Sequence, residues 1–350
     1  MKQWGMRACV GAFGLAVALQ AGAVATESGR MSRKDATDLA VQLIELVDTR
    51  ALGPRDVQEQ TSARAALLQE VMRGDGPDVD RVAVYAAARR YLSTVDSDGH
   101  TLLWSRQFAE AWEHQTSPAD VEQADVARVV KAGDADVLVL RPPQATFQDN
   151  GTAHDYAVRL TSSIVEAQRK APACALVVDL DGQQGGNAWP PIALLGAVVT
   201  PQNRARFEGR NGQRTAVLPM EGYGYAWERG LVGPLPDNPL ARFSGTPIGV
   251  VMGPTTASAG EMLAVILAGE STTRSFGRPS YGMTTANYTT AMPDGAELLL
   301  TTSRYAIEGS PAIHGKLMPD VLAEGAETPE QSVQRAAAWA AANSPLCRAR

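Results

Sequence analysis

Two stretches decide the fold: Cys174-Ala-Leu-Val-Val-Asp-Leu-Asp-Gly-Gln-Gln-Gly-Gly-Asn187 and Ile248-Gly-Val-Val-Met-Gly-Pro-Thr-Thr-Ala-Ser-Ala-Gly-Glu261. Each opens on a short apolar run with strand character and passes through small residues. Each then enters an apolar, helical segment, Trp189 to Val199 in the first case and Ser258 to Ala268 in the second. Strand, tight turn, helix, repeated, is an α/β pattern. The turns place glycine-flanked backbone N–H groups beside a serine at a helix N-terminus. Acyl transfer requires such a pair, because a tetrahedral intermediate needs both a nucleophile and an oxyanion hole.

The α/β pattern extends outward from these stretches. Asp136 to Arg141 is strand-like, His154 to Gln168 has a helical face, and Glu297 to Ile307 is a final strand-like run. Pro190 and Pro191 fall in a first helical turn, where proline is tolerated. Residues 200–245 are rich in Gly, Pro and Arg and read as a long irregular, lid-like excursion. Its Tyr223, Tyr225 and Trp227 suit either a packing cluster of the loop itself or the wall of a substrate groove. Upstream, residues 26–104 predict an N-terminal helical domain, punctuated by Gly53-Pro54 and Gly74-Asp-Gly-Pro77. Residues 105–134 form a connecting region, and 135–345 the core.

Lys2 and Arg7 precede a largely apolar segment that ends in Ala23-Val24-Ala25, so residues 1–25 predict a secretory signal peptide. A membrane anchor is the alternative, disfavoured by the small-residue end and the polar Thr26-Glu27-Ser28. The expectation is a periplasmic or secreted protein without stable membrane insertion. A net charge of −6 with no charged block argues against a nucleic-acid partner. Four histidines and three cysteines in 350 residues show no metal-ligand spacing, so neither metal nor other cofactor is expected. Cys174 and Cys347 are either a disulfide or two free thiols.

Ser258, at the strand-to-helix turn, is the candidate nucleophile, with the Ala259 N–H as one donor for an oxyanion. The plain alternative is an N-cap, since Ser-Ala-Gly-Glu261 also reads as a capping box. Gly185 and Gly186 are either further oxyanion donors or packing glycines.

These motifs resemble the C-terminal processing (tail-specific) serine peptidases. Asp179 to Asn187 is similar to their D-L-R-x-N-G-G-G segment and Thr256 to Glu261 to their S-A-S-A-S-E segment. Phe276 to Gly282 and Gly315 to Asp320 resemble two later motifs, so that the likeness runs from about Ala135 to Asp320. Asp181, Gln183 and Gln184 depart from the pattern. Met283 stands where the lysine-dependent branch carries its base, which excludes a Ser–Lys dyad there. The tricorn-type branch, which includes relatives similar to the interphotoreceptor retinoid-binding protein, takes a histidine from the end of an N-terminal helical region. Asp98-Gly99-His100 stands at that place and makes His100 the candidate base. Asp98, Ser97 and Glu308 are candidate residues to orient it. His314 is a reserve base, while His114 and His154 lie in polar stretches.

The resemblance implies a ClpP/crotonase-like α/β core of ββα units behind a helical bundle. The stretch between His100 and the strand at 136 is too short for the PDZ domain that many such enzymes insert, so no PDZ domain is expected. The resemblance also implies a serine peptidase acting on a peptide or protein substrate through a Ser–His acyl-enzyme. The alternatives are a catalytically silent peptide- or lipophile-binding protein of the same fold, and a non-peptide acyl hydrolase.

Overall fold

The computed structural model describes residues 29–349 apart from Arg55, 96–98, Pro118, 120–125 and 219–236. The expected signal peptide, Ser97, Asp98 and the aromatics of the excursion lie outside the described residues.

The centre is a six-stranded sheet in the order β13-β10-β9-β6-β5-β4. Its strands are β4 (Ala127–Ala132), β5 (Ala135–Leu140), β6 (Ala175–Asp179), β9 (Ile248–Met252), β10 (Thr273–Gly277) and β13 (Val321–Leu322). All neighbours run parallel except β4, which pairs antiparallel with β5. The apolar runs of β6 and β9 do not alternate because both faces are covered, as parallel sheets require. Leu138, Leu140, Leu176 and Val178 face one layer, which contains helices α5 (Asn150–Lys170), α6 (Trp189–Leu195) and α7 (Ala259–Ala268). Val137, Val139, Ala175 and Val177 face the other, where helix α8 (Pro329–Asn343) supplies Val333, Ala336, Ala337 and Ala340. The fit of α8 is close. A Cβ on Gly249 would lie 3.1 Å from both the Cβ and the carbonyl oxygen of Ala336.

A second, antiparallel sheet joins β3 (Leu102–Trp104), β7 (Ala205–Gly209), β8 (Arg214–Ala216), β11 (Thr285–Ala291) and β12 (Glu297–Ile307), with β12 at its centre. Helix α7 lies between the two sheets, which explains why every residue from Ala259 to Leu267 is buried. Helices α1 (Arg33–Arg50), α2 (Val57–Met72) and α3 (Arg81–Ser93) pack with Leu103, Leu298 and Leu300 of the second sheet and with Met292 just beyond β11. Ser32, Asp56 and Asp80 cap their N-termini through side-chain oxygens.

Two sequence expectations need correction. The stretch from 200 is not irregular at its start: β7 and β8 form a hairpin, and β7 pairs with β12. Its Arg-Phe-Glu run is too short and too charged to stand out as a strand, and β12 supplies the missing partner. The run at 297–307 is not the last strand, because β13 closes the edge of the main sheet beside β10.

Cys174 and Cys347 form a disulfide across a separation of 173 residues, which clips the chain terminus to the start of β6. Replacing both with alanine is expected to lower unfolding free energy by about 3 kcal/mol, the general range for a long closed loop. Urea titration would show it as a lower extrapolated unfolding free energy, with a larger m-value as the unfolded chain loses its cross-link. An extrapolated value equal to the parent's would contradict it.

Candidate active site

Ser258 follows β9 and a tight turn and sits at φ 51°, ψ −110°, a left-handed conformation unusual for a residue with a Cβ. The turn is stitched to the loop after β6. Thr256 Oγ1 accepts from Gly253 N at 2.9 Å and donates to the Leu180 carbonyl at 2.9 Å, while Ala257 N donates to the Gln183 carbonyl at 3.0 Å. Thr255 Oγ1 accepts from Gly182 N and donates to Asp181 Oδ1, each at 3.0 Å. Asp181, a departure from the family pattern, thus fastens the two motifs together.

His100 Nε2 lies 2.9 Å from Ser258 Oγ, and the ring is buried, with 6% of its surface exposed. Nδ1 lies 2.8 Å from Thr285 Oγ1, at the start of β11. Pairing of β3 with β12 fixes the chain just beyond His100, and Asn287 Nδ2 donates to the His100 carbonyl at 3.0 Å. Thr285 was not among the candidate orienting residues. It lies two positions past Met283, and nothing in a Thr-Thr-Ala-Asn strand marks one hydroxyl as facing a histidine. Glu308 is exposed and pairs with Arg206 at 2.7 Å, so the orienting role expected for it does not fit its position. His114, His154 and His314 are exposed.

The two glycines separate in role. Gly185, at φ 121°, donates its N–H to Gln183 Oε1 at 3.1 Å, so the oxyanion expectation for this amide is corrected. Its missing side chain matters instead, since a Cβ there would sit 3.1 Å from Ser258 Cβ. Gln183 is held by donating to the carbonyls of Pro142 and Pro143 at 3.1 and 3.0 Å. Gly186, at φ 94°, is pressed against Ala145, where a Cβ would fall 2.1 Å from the carbonyl oxygen. Among the described residues, the N–H groups of Gly186 and Ala259 have no acceptor.

Glu261 is fully buried beneath the serine. It accepts from Ser258 N at 2.9 Å, Ser280 Oγ at 2.5 Å and Gly282 N at 2.8 Å. Burial pushes its carboxyl up to about 7, against the opposing pull of these hydrogen bonds. No cluster of His, Cys, Asp or Glu suited to a metal occurs among the described residues.

A strained serine at a strand-to-helix turn, an imidazole on its Oγ and unfilled amides beside it have the geometry of serine hydrolases. The model of peptidase family S41 matches residues 146–323, and the chain belongs to that family. In fold it is similar to a lipoprotein from Streptococcus agalactiae, at TM-score 0.65 and 18% identity over 88% of this chain and 96% of that one. It is also similar to a photosystem II D1 C-terminal processing protease, at TM-score 0.54 and 15% identity over 88% and 97%. In sequence it is 26% identical over 187 residues to a nisin-resistance protein of Lactococcus lactis subsp. lactis. That match covers 53% of this chain and spans 56% of the length of the relative.

The Glu261 carboxyl carries a pH signature. Below its unfolded value of 4.5 it is protonated in both states; between 4.5 and about 7 only the folded chain holds the proton. Its contribution to stability is therefore present at low pH and lost as pH rises through 7, by up to about 3 kcal/mol. Urea midpoints at pH 5 and pH 8 should fall more for the parent chain than for Glu261→Gln. Equal falls would show that Glu261 does not titrate this way.

Proposed function

We propose that this S41 peptidase cleaves peptide bonds through Ser258 and His100 and works in an exported compartment. The observation that carries the reading is the 2.9 Å contact between Ser258 Oγ and His100 Nε2 beside the amides of Gly186 and Ala259. With Thr285 Oγ1 accepting from Nδ1–H, the ring presents the bare Nε2 that a general base needs. His100 takes the Ser258 proton as Oγ attacks the substrate carbonyl. Gly186 N–H and Ala259 N–H receive the developing oxyanion, each such donor being worth roughly 3 kcal/mol. The imidazolium then protonates the leaving amine, and water releases the acyl group by the reverse sequence. Threonine stabilises the imidazolium less than a carboxylate does, because it brings no negative charge.

Export is supported by the signal-type segment 1–25 and by the Cys174–Cys347 disulfide, which an oxidising compartment preserves. Likeness to a nisin-resistance protein makes nisin the first named peptide to try.

The test is labelling with a fluorophosphonate probe, located by peptide mapping. One adduct on Ser258 is expected in the parent chain and none in Ser258→Ala. The rate should fall at least about a hundredfold in His100→Ala and about tenfold in Thr285→Val, the general range for losing a base or its support. A folded chain that takes no label would shift the reading to a binding protein of the same fold.

A further inference from the structure

Helix α4 (Arg106–Glu113) follows β3 directly, and none of its residues is fully buried. Phe108 and Trp112 share one face and lean on Trp104, with ring centroids 5.3 and 5.4 Å away. Both are half-buried, while Trp104 is 5% exposed. The Trp104 indole N–H is buried and has no acceptor among the described residues. Such an orphan donor is unfavourable in a folded chain.

Trp104 stands opposite Glu297 in the β3–β12 register, so their side chains share a face of the sheet. The Glu297 carboxyl is raised, by burial first and then by the charge of Glu113. Neither glutamate has an ion-pair partner among the described residues, and Arg106 is taken by Glu110 at 2.8 Å. A partly exposed aromatic face and two carboxylates without an ion-pair partner among the described residues therefore meet at one wall.

The chain links this wall to the catalytic pair. Trp104 is four residues from His100 on the same short segment. The end of α4 is tied to the oxyanion side through Thr116 and Thr146, which exchange bonds of 3.1 and 2.8 Å. Thr146 follows Ala145, the residue against which Gly186 is pressed.

We propose that Trp104, Phe108, Trp112, Glu113 and Glu297 form a substrate subsite for a peptide segment in which a lysine or arginine lies beside an apolar residue. The apolar side chain covers the aromatic face and the cation sits beside the carboxylates. The inference rests on the peptidase reading only in calling the bound chain a substrate.

The test uses Ser258→Ala, which cannot turn over, and three end-blocked synthetic peptides differing at one position beside a leucine: lysine, glutamine or glutamate. Isothermal titration should show the lysine peptide binding about tenfold tighter than the glutamate one, a difference of about 1.4 kcal/mol. The preference should vanish when Glu113→Gln and Glu297→Gln are added. These changes keep side-chain shape and remove two negative charges, and Glu113→Gln alone, on the partly exposed helix, should already reduce the preference. Equal binding of the three peptides, or a preference that survives both glutamine substitutions, would overturn the subsite. Because the serine is absent throughout, the outcome is independent of fluorophosphonate labelling, so either reading can fail alone.

Discussion

The site depends on holding Ser258 in a backbone conformation that a residue with a Cβ ordinarily avoids. Such a residue relaxes unless its surroundings over-determine it, at a strain of order 1–3 kcal/mol. Here the surroundings do so from three sides. Thr255 and Thr256 tie the turn to the loop after β6, Gly185 leaves space against the serine Cβ, and Glu261 takes the serine N–H from below. Helix α7 carries Glu261 and is buried along its length between two sheets, so its first turn has little freedom to shift.

The same carboxylate reaches the other half of the site. By accepting from Ser280 and Gly282 it fixes the approach to β11, where Thr285 meets His100. Burying a carboxylate among neutral donors is unfavourable, and the raised Glu261 pKa expresses that. The arrangement keeps Ser258, His100 and Thr285 on separate elements, each fixed by its own hydrogen bonds. Preorganisation of this kind is what allows amides such as those of Gly186 and Ala259 to act without reorganising during a reaction.

Legibility in the sequence followed the range of each interaction. The strands β5, β6 and β9 and the helices beside them could be read because their apolar runs and glycine turns are local signals. β7, β10 and β11 could not, since each is a short mixed run whose strand character comes from its partner in the sheet. Gly185 and Gly186 looked interchangeable as letters. Only the Gln183 side chain, which occupies one amide and leaves the other, distinguishes them.

By itself the sequence determined an α/β chain of the S41 type, with Ser258 at a strand-to-helix turn and His100 as a candidate partner. Those conclusions rest on residue type, local periodicity and motif order. The tertiary structure decided that Thr285, and not Glu308, faces the imidazole, and that Trp104 stands opposite Glu297. These contacts join elements far apart in the chain. Their identity depends on strand register and on which face each side chain takes, and no local pattern encodes either.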